Sequence, residues 1–223
     1  MSKRKFTHKD NNNQYHPQRR QIMSDDEPLY SFAFRGDLYL EDVKKLLDAG
    51  ADVEERDSTK CWTPLIHASY SGWSFEVAKY LVEKGGANVE AKDDAGDTSL
   101  IWASQRGNLD VVKYLVGEAG ADVDVKGRLE KTALISASSA GKLEVVKYLV
   151  EQGGANVEAT DRFRSTALIV AADMDKLEVV KYLVESAGAN VEAKDKFGMT
   201  ALAYAKKEHN CNVADYLEKR SSS

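Results

Sequence analysis

The tetrad Lys-Tyr-Leu-Val begins at Lys79, Lys113, Lys147 and Lys181, each 34 residues after the last. Lys45-Leu46-Leu47 stands one step before this series, and Asp215-Tyr216-Leu217 one step after it. A second motif keeps nearly the same step: Thr63-Pro64-Leu65, Thr98-Ser99-Leu100, Thr132-Ala133-Leu134, Thr166-Ala167-Leu168 and Thr200-Ala201-Leu202, with Glu27-Pro28-Leu29 a degenerate first copy. Its first gap is 35 because Trp73-Ser74-Phe75 carries one extra residue. A fixed period of this size is the mark of stacked supersecondary units and outranks any local reading.

One unit, Thr132 to Asp161, shows what is repeated. The Thr132 hydroxyl suits a helix N-cap. Leu134, Ile135, Ala137 and Ser138 follow, small where a neighbouring helix must come close, and Gly141 suits a C-terminal cap. Leu143, Val146, Leu149 and Val150 then form one apolar stripe, with Glu144, Lys147 and Glu151 on the opposite, wet face. Gly153-Gly154 ends this second helix, and Ala155–Ala159 leads into a polar turn. Each unit therefore reads as helix, tight turn, helix, extended loop. Neither helix buries its stripe alone; stacked neighbours bury it, so stability is roughly a sum of unit and interface terms.

These residues resemble the ankyrin repeat family: its turn glycine, T-P-L-H-x-A, G-x-x-x-V-V-x-x-L and G-A-D-V-N-A pattern is met by GDTSLIWASQRGNLDVVKYLVGEAGADV, Gly96 to Val123. The resemblance covers about residues 27–220 and implies an all-α solenoid. The expected units are 27–57, 58–93, 94–127, 128–161, 162–195 and 196–220, after a tail of residues 1–26 and before a short C-terminal tail, 221–223. The family's usual His is Ile66, Ile101, Ile135, Ile169 and Ala203 here, and its usual loop Asn is Glu90, Asp124, Glu158 and Glu192.

Charge divides the chain. Residues 1–23 carry six basic side chains against Asp10, a net +5, which leaves −10 on the remainder of a chain whose total is −5. The tail is polar and nearly free of aliphatics, so it reads as disordered in isolation. A basic arm of this kind suits an acidic partner, nucleic acid through Lys3, Arg4, Lys5, Arg19 and Arg20, or the acidic body of the same chain. The greasy run Leu29-Tyr30-Ser31-Phe32-Ala33-Phe34 needs a cover, and the tail is expected to provide it. No run of 18 apolar residues spans a membrane, and no apolar N-terminal segment directs export. Cys61 and Cys211, 150 residues apart, read as reduced thiols of a cytoplasmic protein, with the nucleus as the other address.

Catalytic chemistry is not expected. The four histidines lack metal-ligand spacing, and no phosphate loop, nucleophile elbow or dinucleotide fingerprint occurs. A thiol nucleophile at Cys61 with His67 as base is the enzyme reading; it is set aside because Cys61 lies in a loop with nothing nearby to orient the histidine. His209 falls where other units place Gly107 and Gly141, and a left-handed backbone is expected there. No cofactor and no small-molecule substrate is expected.

In the ankyrin family partners lie along the concave side, on loop tips and first-helix ends. Carried over by position, the partner-binding candidates are Trp62 and Tyr70 in the second unit, and Asp94, Asp97, Gln105 and Arg106 in the third. Arg128 and Lys131 follow in the fourth, Arg162, Phe163, Arg164 and Met174 in the fifth, and Lys196 and Phe197 in the sixth. These positions vary from unit to unit while Lys-Tyr-Leu-Val barely changes. The tip Lys92–Asp97 sums to −2, Lys126–Lys131 to +2, and the next two tips to +1 each, which fits a partner with an acidic stretch facing units four to six. Trp62, Phe163 and Phe197 read as exposed aromatic anchors. Glu130 and Arg164 replace the turn glycine of Gly96 and Gly198, and the expectation is a reshaped loop at both. Trp102 and Tyr204 are expected to be buried between units. The function that follows is non-catalytic protein–protein recognition on the concave face, as an adaptor or assembly subunit. The alternative is nucleic-acid or anionic-surface binding through the basic tail.

Overall fold

The computed structural model describes residues 27–221. The 1–26 tail, its basic residues and its expected role as a cover all lie outside these residues. Among the described residues twelve α-helices alternate in two rows. The inner row is α1 (Leu29–Arg35), α3 (Pro64–Ser71), α5 (Ser99–Arg106), α7 (Ala133–Ser139), α9 (Ala167–Asp173) and α11 (Ala201–Lys207). The outer row is α2 (Leu40–Asp48), α4 (Phe75–Glu83), α6 (Leu109–Gly117), α8 (Leu143–Glu151), α10 (Leu177–Glu185) and α12 (Cys211–Ser221). Each helix packs on its partner within the unit and on its counterpart in the next. Among the described residues there is no strand, only an isolated antiparallel bridge between Lys92 and Thr98. The expected all-α solenoid is the architecture observed.

Local chemistry sets the helix limits. The Oγ1 atoms of Thr63, Thr132, Thr166 and Thr200 accept from the amides of Ile66, Ile135, Ile169 and Ala203 at 3.2–3.4 Å, each satisfying an orphan donor of the first turn. Thr98 is the exception, with its hydroxyl buried and unpartnered. Left-handed residues close the inner helices: Gly72, Gly107 and Gly141 in three units, but Asp175 (φ 55°) and His209 (φ 59°) in the last two. The second unit has two single-residue insertions. Cys61 extends its loop, so the closing hydrogen bond runs from the Asp57 amide to the Trp62 carbonyl rather than to the fourth residue on. Trp73, 79% exposed, extends the turn between α3 and α4.

The repeated leucines decide the packing. Leu65, Leu100, Leu134 and Leu168 of the inner row and Leu81, Leu115, Leu149 and Leu183 of the outer row are fully buried. Each contributes about 1.5–3 kcal/mol relative to exposure. A surface pair such as Lys147–Glu144 contributes at most about 1 kcal/mol. In the first unit Leu29, Phe32 and Ala33 are buried and Phe34 is exposed.

Polar ladders then fix the register between units. The carboxylates of Glu54, Glu90, Asp124 and Glu158 accept from the amides of Asn88, Asp122, Asn156 and Asn190 in the following unit, at 2.7–3.1 Å. These acids stand where the family has asparagine, and they take up loop amides one unit on. The Arg56 guanidinium donates to the Lys92 carbonyl, the Lys92 ammonium to the Lys126 carbonyl and the Lys126 ammonium to the Thr160 carbonyl.

Candidate functional site

The side of the stack formed by the inner helices and loop tips is built from a single recurring pair. The first residue is the loop aspartate, buried at Asp57, Asp93, Asp161 and Asp195. One of its oxygens gathers the amides of the turn: Thr59 and Lys60 on Asp57, Ala95 and Asp97 on Asp93, Phe163 and Ser165 on Asp161, Phe197 and Met199 on Asp195. The second residue stands mid-way along the inner helix and donates to the other oxygen. His67 Nε2 lies 2.8 Å from Asp57 Oδ2, Trp102 Nε1 donates to Asp93 Oδ2 at 2.9 Å, and the Tyr204 hydroxyl donates to Asp195 Oδ2 at 2.7 Å. In the fifth unit Val170 takes this place and leaves Asp161 to its turn alone.

The electrostatics follow from these bonds. Burial works to raise the Asp57 pKa, but donors from the Lys60 amide, the Thr59 hydroxyl and amide, and His67 outweigh it and hold the carboxyl far below the usual carboxylate range. Burial pushes His67 down from its ordinary value, against the pull of Asp57. The bond to Asp195, with burial second, pushes the Tyr204 hydroxyl up to about 12, so it remains a donor.

In the first three units this pairing carries an aromatic surface. His67 stacks on Tyr30 with ring centroids 5.4 Å apart and meets Trp62 edge-on at 5.1 Å. Trp62 in turn touches Tyr70 at 5.0 Å and Trp102 at 4.8 Å, and the Arg106 guanidinium lies 4.6 Å over the Tyr70 ring. Trp62 is only 4% exposed, which corrects its reading as an exposed anchor. Its indole donates to Asp93 at 3.0 Å, beside that of Trp102, so one carboxylate ties two units together. Trp102 and Tyr204 are corrected the other way. They are half-buried and turned to their loop aspartates rather than buried between units.

The fourth unit breaks the pair on both sides. Gly127 replaces the aspartate and Ser136 the long mid-helix residue. A Cβ at Gly127 would meet the Asp97 carboxylate and Ile101, which would have to shift to admit it. Asp97, 8% exposed, is correspondingly not a free tip residue: its Oδ1 accepts from the Arg128 amide at 2.7 Å, and burial raises its pKa. What remains is a pocket of about 200 Å³ whose lining includes Asp97, Trp102, Gln105, Arg128, Lys131 and Ser136. Four of the expected partner-binding residues thus share one concavity.

At the C-terminal tips, Lys196 Nζ sits 4.1 Å from the Phe163 ring and 5.0 Å from that of Phe197, and Arg162 lies 5.7 Å over Phe163. Phe163 is therefore half-covered by its neighbouring tip, whereas Phe197 is 68% exposed and Met174 is also exposed. Asp94, Gln105, Arg106, Arg128, Arg162, Arg164 and Lys196 are exposed; Tyr70 and Lys131 are half-buried.

The loop at Arg164 is not reshaped, whereas the loop at Glu130 is, as expected: Leu129 (φ 57°) is left-handed beside Glu130 and Arg128–Glu130 forms a 3-10 turn. Arg164 holds φ 61° and Glu130 φ 58°, and the turn bonds Arg164 N–H to Asp161 O and Glu130 N–H to Gly127 O match that of Gly198 N–H to Asp195 O. At Arg164 the carboxylate of Asp161, three residues earlier, holds the turn amides, and the side chain accepts the strain. Arg164→Gly is expected to raise stability by roughly 0.5–1 kcal/mol, the relief of a left-handed residue less glycine's unfolded-state entropy. A denaturant titration checks this, and a lowered midpoint would show that the arginine side chain stabilises the fold.

The loop aspartates are the residues that sequence reasoning missed as a set. Their signal was present, since Asp93, Asp161 and Asp195 keep the period and Asp57 precedes the two insertions. Among the described residues no group of His, Cys, Asp and Glu forms a metal site, and no helix is long and apolar enough to cross a membrane.

Comparison with known proteins agrees with this architecture. The sequence pattern of the family described as Ankyrin repeats (3 copies) matches residues 29–127 and 120–195. A stretch of 67 residues is 43% identical to glycerophosphocholine phosphodiesterase gde1 of Schizosaccharomyces pombe, covering 30% of this chain and 6% of that protein. Another of 58 residues is 45% identical to protein phosphatase 1 regulatory subunit 27 of Mus musculus, covering 26% of this chain and 36% of that protein. The chain thus spans only a small part of one of these relatives and about a third of the other. With the family pattern running through most of its length and the helix pairs stacked as that pattern requires, the chain belongs to the ankyrin repeat family.

Proposed function

We propose that this chain is a non-catalytic recognition module that holds a partner protein on its concave face, as an adaptor or assembly subunit. Ankyrin repeats generally mediate protein–protein interaction, and one partial relative is named as a regulatory subunit. The observation that carries the proposal is the contrast between units. The packing leucines of the second to fifth units are identical and buried, while the mid-helix groove position reads His67, Trp102, Ser136, Val170 and Tyr204. Packing alone would not diversify these positions beside exposed Arg106, Arg128, Met174 and Phe197. The phosphodiesterase match covers too little of that protein to support catalysis here.

Affinity capture of partners by the full chain, identified by mass spectrometry, tests the proposal. Tyr70→Ala/Arg106→Glu and Phe163→Ala/Arg164→Glu are each expected to weaken capture at least tenfold, as loss of an aromatic–arginine anchor does. Capture unchanged in both variants but lost on deleting residues 1–24 would move function to the basic tail. Binding to nucleic acid that falls steeply with salt would then identify the phosphate-contact alternative.

A further inference from the structure

We infer that the pocket between the third and fourth units is a specificity subsite for a carboxylate side chain, Asp or Glu, on the partner segment lying in the groove. This rests on the concave-face reading above and names one chemical requirement of the partner.

The fourth unit lacks the pair of loop aspartate and polar mid-helix residue. Wherever a loop aspartate faces a polar mid-helix residue, as at Asp57–His67, Asp93–Trp102 and Asp195–Tyr204, the pair fills the space between loop and helix. At Ser136 the long mid-helix side chain is reduced to a hydroxymethyl group, and a side-chain-sized hollow of about 200 Å³ lies beside it, while the place of the missing aspartate at Gly127 is taken by Asp97 and Ile101.

The lining then selects the occupant. Arg128 and Lys131 bring two cations to the rim against one buried acid, Asp97, whose Oδ1 is already engaged by the Arg128 amide. Gln105, Ser136 and Ser139 add polar groups able to donate to an oxygen. Trp102 and Ile101 supply an apolar wall for the methylenes of a glutamate. A lysine or arginine would meet the two cations at the rim. An apolar side chain would leave these polar groups unpaired, at the usual cost of desolvation without compensation. The half-buried rings of Tyr70 and Trp102 lie 5.5 Å apart and Trp102 lines the pocket, so the matching segment carries an apolar residue beside the acid.

The test is a nuclear magnetic resonance titration of the full chain with N-acetylglutamate amide, N-acetylglutamine amide and inorganic phosphate as separate probes. The Trp102 indole and Gln105 amide signals are expected to move saturably with the glutamate probe and at least about tenfold more weakly with the glutamine probe, the loss of one charge-assisted hydrogen bond. Arg128→Glu, a surface change, and Ser136→Tyr, a filler that the sixth unit already carries at this position, are expected to abolish the shift. Equal responses to the two amides, or a response retained in Arg128→Glu, would overturn the inference. A phosphate response matching that of glutamate would overturn it as well, leaving an unselective anion pocket. Because the probe needs no partner, a failed titration with groove variants still weakening capture would sink the subsite alone. A positive titration with capture unaffected by Tyr70→Ala/Arg106→Glu and Phe163→Ala/Arg164→Glu would sink the concave-face reading.

Discussion

Trp62→Ala is expected to lower stability by about 3–5 kcal/mol, the usual range for truncating a buried tryptophan. The indole is packed against His67, Tyr70 and Trp102 and donates to Asp93, so the variant opens a void at the junction of the second and third units. The damage is not confined to one unit, because Asp93 also gathers the turn amides of the third. Phe197→Ala, at an exposed tip aromatic, should stay within about 0.5 kcal/mol of the parent. Urea titration of the two variants side by side measures both. A Trp62→Ala loss below about 1 kcal/mol would mean that the groove aromatics are not part of the packed core.

The second large effect concerns acid. Asp57→Ala is expected to cost about 2–3 kcal/mol, since it removes an acceptor that holds the Thr59 hydroxyl, two turn amides and His67. The parent should also lose stability on acidification in two stages. His67 has a folded-state pKa lowered from 6.5, so the fold prefers its neutral form. Its contribution is present above 6.5 and is lost as pH falls below that value. Asp57 is lowered from 3.8, so its contribution is present above that value and is lost on further acidification. Melting temperature followed from neutral pH downwards checks both stages. His67→Gln should flatten the first stage and leave the second; an unaltered first stage in that variant would assign it to other groups.

Period and stripe were legible because the same few residues must recur wherever identical faces pack. Leu81, Leu115, Leu149 and Leu183 of Lys-Tyr-Leu-Val are fully buried as expected, as are Leu65, Leu100, Leu134 and Leu168 of the inner helices. What the sequence did not disclose was partnership across the loop. Trp62 was placed at a tip by register, yet a residue's register does not say which way its ring turns. The single-residue loop insertion at Cys61 accompanies the inward turn of this ring. Trp102 and Tyr204 were read as interior from their helix position, but each has a polar end that needs a partner, and the nearest is the carboxylate of its own loop. Arg164 was read by intrinsic preference, and the turn bonds around it overrode that preference, whereas at Glu130 the loop is reshaped as expected. Of the charged tip residues Asp94, Arg128, Arg162, Arg164 and Lys196 are exposed, whereas Asp97 is buried and bonded to the amide of the next loop.

The inter-unit carboxylate ladder has a consequence for how such a chain can vary. Every rung, from Glu54–Asn88 to Glu158–Asn190, joins equivalent atoms one period apart. Duplicating or excising one whole period between two rungs therefore leaves each joint chemically unchanged. The same event alters the spacing between the aromatic surface, the fourth-unit pocket and the Phe163–Phe197 tips by one repeat step. Gain or loss of a period is thus nearly silent for folding and large for recognition, and the groove behaves as a ruler whose marks can be moved without recutting the wood.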